Sequence, residues 1–350
     1  MMRKPLLLLL VGIISLVLAV PVSAAAPALG PSDDAKGFIV VANRGSGSIS
    51  VIDVATDQVV HTIPLPGDSP EPMYVVYVHP AHKVFVGDRA NSQVAVYDSS
   101  TFELVGTVPT GSGVFHMWAD ATGKQLWINN DVDNTATVVD AKTLSVIATV
   151  PMPADLIAEG GKPHDVILDT QGESAFVTLL GFAGDHDYVV KFDTETFLEV
   201  ARAAVGKDPH VSLTKHNNFL YVPAQNSDTV TVLDRDMLAY VTDIDVPGAH
   251  GAGMRNDGRV FYTTNLPGGG TGGLVAIDTE SNTVISSVDT PFPVPHNIAM
   301  TKQGEKIYVT HSGADAQTVT VYTASKQSPI PVYLTDVTVE TNPFGLTYVP

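Results

Sequence analysis

From Phe38 onward, apolar and polar residues alternate in short runs separated by turn-forming residues. Such alternation sets one face of a strand against a core and the other toward solvent. Phe219-Leu220-Tyr221-Val222 is one such run; the polar Asn226-Ser227-Asp228 follows, and the next run, 230–234, closes on Asp234. Closure on Asp recurs at Asp53, Asp98, Asp140, Asp193 and Asp278, whereas the run 319–322 lacks it. After these runs come Thr- or Ser-rich turns, such as Ala141-Lys142-Thr143, and one more β-rich run, such as 146–150 or 284–288. The pattern predicts strands throughout and no amphipathic helix.

The unit repeats about every 45 residues, a length that fits blades of short strands arranged around an axis. A second landmark marks the innermost strand of each unit: Met73, His116, His164, His210, His250, His296 and Phe344. The last of these seven lies in 342–349, with nothing behind it to complete a blade, and the first unit begins at Phe38 without an inner strand. The C-terminal strand is therefore expected to pair with the N-terminal strands, so that no open sheet edge remains. The fold class read from this is all-β: a seven-bladed β-propeller over 37–350, in one domain.

Ahead of it, Met1-Met2-Arg3-Lys4, an apolar run over 6–20 and Pro21-Val22-Ser23-Ala24 read as a secretory signal cut near Ala24 or Ala26. The run is short for a span of about 20 residues; an uncleaved anchor is the alternative. The expected organisation is a signal peptide at 1–24, a flexible lead-in at 25–36 and then the propeller, in a secreted or periplasmic protein. The chain has no cysteine, which excludes disulfides, thiolate ligands and covalent c-type haem attachment. Its net charge of −18 becomes −20 once Arg3 and Lys4 leave with the signal, and no basic patch offsets it, so no nucleic-acid partner is expected. The expected partner is a small ligand or a protein loop at the channel mouth, bound by a monomer.

A propeller gathers equivalent positions around its axis, so five histidines far apart in sequence can meet. His116, His164, His210, His250 and His296 are the candidate metal ligands. Neutral imidazole without thiolate suits copper or zinc. Bonds of about 2.0–2.1 Å favour ligands from adjacent blades, which points to His164, His210 and His250 sharing one ion. Met73 and Phe344 leave an apolar gap in the arc, and Met73 is a soft donor. The competing role is structural, each imidazole bonding the next blade's backbone. Loops leaving the second strand are expected at the same rim, which adds Arg89, Asn130, Asp165, His186, Asn265 and His311 as ligand contacts, and Arg44, Arg89 and Arg255 as anion contacts. His61, His79, His82 and His216 are assigned to outer strands or turns. The run from Gly268 to Gly273 lacks a following helix to bind phosphate and reads as a hairpin loop.

Tyr308-Val309-Thr310-His311, Leu220-Tyr221-Val222-Pro223, Phe261-Tyr262-Thr263-Thr264-Asn265 and Leu126-Trp127-Ile128-Asn129-Asn130, with the Pro-His openings and terminal Asps, resemble the YVTN-repeat family of seven-bladed β-propellers. The resemblance covers essentially the whole mature chain. It implies the fold and leaves function open, since such proteins include binding and surface proteins. Similar propellers include lactonases and streptogramin lyases, whose chemistry sits at the channel mouth, and nitrous oxide reductases, which hold a His-bound copper cluster at the axis. Three functions stay in view: an exported protein binding copper, zinc or a small ligand at a His-lined channel mouth; a lactonase- or lyase-like enzyme with a histidine as base and a metal or Arg polarising a carbonyl; and an interaction scaffold with structural histidines.

Overall fold

The computed structural model describes residues 36–215 and 217–350. The expected signal peptide, nearly all of the lead-in and His216 lie outside the described residues. Among the described residues, seven four-stranded antiparallel sheets form a seven-bladed propeller. Blade 1 holds Phe38–Asn43, Ser48–Asp53 and Gln58–Pro64, and Pro343–Val349 from the other end of the chain is its innermost strand. The register Phe38 to Val349 and Val41 to Leu346 closes the ring as the sequence predicts. Blades 2 to 7 run from inside to outside, beginning with the inner strands Pro72–Val78, Val114–Ala119, Lys162–Leu168, Ser212–Leu213, Ala249–Met254 and Pro295–Met300.

The alternation in the sequence becomes packing between blades. Trp127, Val138, Val177 and Phe192 form one fully covered cluster, and Val86, Ala95, Tyr97 and Val349 form another. The outermost strands bury little: Val146 and Ile147 are exposed where their strand faces solvent. The terminal aspartates are turn devices. Asp98 accepts the backbone N–H groups of Ser100 and Thr101 at 2.9 and 3.0 Å. Asp140, Asp193, Asp234 and Asp278 accept from the residues two and three positions on in the same way. The Ser100 hydroxyl and these N–H bonds hold the Asp98 carboxyl down at about 2.

One expectation needs correction. A short helix, Ala154–Ala158, lies in the connection between blades 3 and 4. At five residues it spans less than two turns, too few for an amphipathic period to show in the sequence.

The inner strands share one irregularity that decides the site. In six of the seven blades, three residues of the inner strand span two of its partner, at 72–75, 114–117, 163–166, 249–252, 295–298 and 343–346. Such bulges re-aim side chains. Here they give each blade two consecutive residues at the axis instead of one. In blade 5 the inner strand shortens to Ser212–Leu213, and Pro209 reaches its partner strand only through an isolated bridge to Ala224.

Candidate functional site

Pairing partners fix which residues are equivalent. Pro72, Val114, Pro163, Ala249 and Pro295 occupy the same register position, opposite Asp88, Asn130, Leu179, Asn265 and His311. The next residue in each strand forms the ring: Met73, Phe115, His164, His210, His250, His296 and Phe344. The expectation that His116 belongs to this ring is therefore off by one. Phe115 takes the place, because pairing sets Val114 opposite Asn130 in the position that Pro163 and Ala249 hold in their blades. The ring has four histidines on consecutive blades and three apolar residues on the others. Met73, Tyr74, Phe344 and Phe115 pack together as one cluster, which places Met73 among aromatic side chains.

His116 instead belongs to a second layer, one residue further along the strands, with Tyr74, Asp165, Asn297, Gly251 and Gly345. Gly251 is obligatory there, since a Cβ would sit 2.1 Å from the His296 carbonyl oxygen. His116 Nδ1 lies 2.8 Å from Asp165 Oδ1, and the Tyr74 ring lies against the imidazole with centroids 3.5 Å apart. Asp165 also accepts the N–H groups of Val166 at 2.7 Å and Val211 at 3.0 Å, and its Oδ2 lies 3.5 Å from His210 Nδ1. Asp165 was expected at the rim; the bulge turns it into the interior, where it is buried.

Above this layer, His164 Nε2 and His210 Nε2 approach to 3.2 Å. The His210 and His250 rings lie 4.0 Å apart, and the His250 and His296 rings stack at 4.7 Å. His116 Nε2 and both nitrogens of His250 are buried without a hydrogen-bond partner. Structural bonding to the neighbouring backbone therefore does not explain these two imidazoles. The metal-capable group among the described residues is His116, His164 and His210, whose ligand atoms all lie within 4.8 Å of one another. This group shares His164 and His210 with the expected trio of His164, His210 and His250.

Burial pushes the His164, His250 and His296 pKa values well down, and neighbouring imidazoles add to the effect. Burial also lowers His116, with Asp165 opposing. For Asp165 burial works against the charge, but His116 and His210 outweigh it and hold the carboxyl well below its usual range. The site thus combines one buried carboxylate with three imidazoles, those of His164, His250 and His296, in which burial favours the neutral form.

The channel that reaches His116 and His210 opens on the opposite side from the one expected. A channel of about 790 Å³ runs from exposed Lys215, Asn256 and Lys302 at one face to His116, Asp165 and His210 at its inner end. The histidines close the channel rather than line its mouth, because the ring residues precede the channel-lining residues in their strands. Arg44 and Arg89 sit on the ring side: Arg44 is paired with Glu71 at 2.6 Å and lies over Phe344, and Arg89 is paired with Asp131 at 2.9 Å and lies over Phe115. Arg255 lines the channel but is engaged by Asp257 at 2.8 Å.

Other rim candidates are occupied with the fold. His311 is buried between the Pro293 carbonyl and the Thr320 hydroxyl, 2.9 and 3.0 Å away. The amide of Asn130 lies against the Thr135 and Thr137 hydroxyls, and that of Asn265 organises the glycine-rich hairpin through Gly268 and Thr271. His186 is exposed, bonded to Asp185 and Tyr188. Sequence reasoning missed Tyr74, Phe115 and Asn297. Their signal was positional, since each belongs to the two-residue bulge opening an inner strand.

Residues 13–240 match the family described as lactonase, 7-bladed beta-propeller. The chain belongs to that family. Among solved structures similar to this lactonase-family chain is the periplasmic gluconolactonase of Pseudomonas aeruginosa, at 18% identity over 90% of this chain and 99% of that one, with a TM-score of 0.71. A putative 6-phosphogluconolactonase from Bacteroides fragilis matches at 16% identity over 92% and 100%, with a TM-score of 0.70. Hydrazine synthase of Kuenenia stuttgartiensis matches at 17% identity over 72% and 76%, with a TM-score of 0.61. At these identities the likeness is one of fold. No curated protein matches the chain. Among the described residues no helix of this lactonase-family protein is long and apolar enough to cross a membrane.

Proposed function

We propose that this protein is a hydrolase that opens a cyclic ester at the inner end of its axial channel, acting outside the cytoplasm. The observation that carries the reading is His116: Asp165 engages its Nδ1 at 2.8 Å, and its Nε2 is buried and unbonded at the end of the channel. A carboxylate on Nδ1 fixes the tautomer and leaves the Nε2 lone pair as the reactive feature of the ring. Membership of the lactonase family and the gluconolactonase-like fold support the same reaction class. Whether the repeat is of the YVTN type has no bearing on this chemistry.

In the reaction, a water activated where the His116 lone pair points adds to the lactone carbonyl carbon. The bond between that carbon and the ring oxygen then breaks. The ring oxygen leaves as a hydroxyl carrying the proton that the water gave up, and a hydroxy acid is released. The channel volume of about 790 Å³ falls in the range of small-molecule sites, about 300–1,000 Å³.

The test is acid release from a panel of γ- and δ-lactones, including aldonolactones, with and without added Zn²⁺. Turnover that falls at least about 100-fold in His116→Ala, with an unchanged far-UV spectrum, is the expected result. No turnover on any lactone under either condition overturns the reading.

A further inference from the structure

The lone pair of His116 has two companions. His164 and His210, from the next two blades, place ligand nitrogens with that of His116 inside a sphere where every pair is within 4.8 Å. Two nitrogens bound to one tetrahedral ion at about 2.0–2.1 Å stand about 3.3 Å apart. The His164 Nε2 to His210 Nε2 distance of 3.2 Å already matches that separation. His116 needs only a side-chain adjustment to join them, and its Nε2 has no other partner among the described residues.

The surroundings have the chemistry of ligand support. Histidine ligands usually give their other ring N–H to a carboxylate, which fixes the tautomer and raises the basicity of the donor nitrogen. Asp165 stands at that place for two of the three: Oδ1 is 2.8 Å from His116 Nδ1, and Oδ2 is 3.5 Å from His210 Nδ1. Asp165 itself is fixed by the Val166 and Val211 N–H groups, so the supporting atom does not depend on side-chain freedom. Asp208 lies 3.6 Å from His164 Nε2 and adds negative charge beside the site. The net charge of −18 concentrates cations around the whole molecule.

We propose that His116, His164 and His210 bind one divalent transition-metal ion, Zn²⁺ or Cu²⁺, with Asp165 as the residue that orients two of the ligands. An all-imidazole donor set selects these ions over Mg²⁺ and Ca²⁺, which take oxygen ligands. His116 and His210 line the channel, so the remaining coordination position opens onto it and takes a water. An ion there would supply Lewis acidity, lowering the pKa of a bound water from 15.7 to about 7, and the proton given up would go to the ring oxygen as it leaves. This role deepens the hydrolytic reading and rests on it: with its Nε2 lone pair given to the ion, His116 would act on the water as a ligand of the ion in place of acting as the base. The binding site itself does not depend on that reading.

The experiment uses the full mature chain, prepared without a His-tag and stripped with a chelator. Zn²⁺ is titrated by calorimetry, and Co²⁺ is used as a visible-spectrum reporter of tetrahedral nitrogen ligation. The expected result is one equivalent bound, weakened at least 100-fold by His164→Ala and by His210→Ala, and unchanged by His61→Ala on an outer strand. Should a ligand variant unfold, Asp165→Asn serves in its place, with a fall in Zn²⁺ affinity of about 10–100-fold. Absence of stoichiometric uptake, or uptake that survives the His164 and His210 changes, overturns the site. Lactone hydrolysis is measured on the same samples. Full turnover by stripped protein overturns the role of the ion in the reaction and leaves hydrolysis standing. Stoichiometric binding without turnover leaves the metal site standing and removes the hydrolytic reading.

Discussion

Asp165 and His116 meet across the boundary between two blades, with Asp165 Oδ1 lying 2.8 Å from His116 Nδ1. Both residues follow a ring residue in their own inner strand, and both are turned inward by the same bulge. The contact therefore depends on two neighbouring blades carrying one irregularity at one height. From it follow the orientation of the imidazole, the charge of the site and the direction in which Nε2 points.

Replacing Asp165 by Asn keeps the shape and removes the charge. The amide has one acceptor oxygen where the carboxylate faces two imidazole Nδ1 atoms. Hydrolysis is expected to fall about 10–100-fold with little change in unfolding temperature. Unchanged rates would show that the carboxylate does not position the imidazoles.

His250 gives a test of structural against functional roles. Both its nitrogens are buried without partners, and each such group costs about 1–3 kcal/mol. His250→Leu is expected to leave stability unchanged or raise it by about 1 kcal/mol, read from denaturant midpoints. A loss of more than about 2 kcal/mol would mean that the imidazole holds the blades together.

Tyr308 in blade 7 donates its hydroxyl to Asp57 of blade 1 at 2.6 Å, and Lys306 pairs with the same carboxylate at 2.7 Å. Burial, and then Asp57, push the phenol pKa well up, so the donor keeps its proton at any ordinary pH. Tyr308→Phe is expected to cost about 1.5–3 kcal/mol, the range for a bond to a charged partner. Equilibrium unfolding of the variant measures it; a change near zero would remove this contact as a brace between the first and last blades.

Burial keeps His311 below its ordinary pKa of 6.5. The folded chain holds the imidazole neutral while the unfolded chain takes up a proton below about 6.5. Stability from this residue is therefore complete above that pH and declines as the pH drops toward the folded pKa. His311→Asn is expected to lose less in unfolding temperature between pH 7.5 and pH 5.5 than the parent. An equal loss in both proteins would place the acid sensitivity elsewhere.

The sequence by itself determined the strands, their grouping into seven blades and the closure of the ring. These rest on patterns local to each repeat: alternation along a strand, an aspartate accepting from the next turn, and a landmark that recurs at fixed spacing. It also named the residue type at the axis, since equivalent positions must meet there. Only the tertiary structure decided which imidazoles meet. A bulge is defined by the partner strand, so the one-residue offset that puts Phe115 in the ring and His116 beside Asp165 has no signature along the chain. The same holds for the open end of the channel and for His311, whose two nitrogens are taken by Pro293 and Thr320. Those outcomes depend on register and on packing between blades, where a shift of one residue moves a side chain from one surface to another.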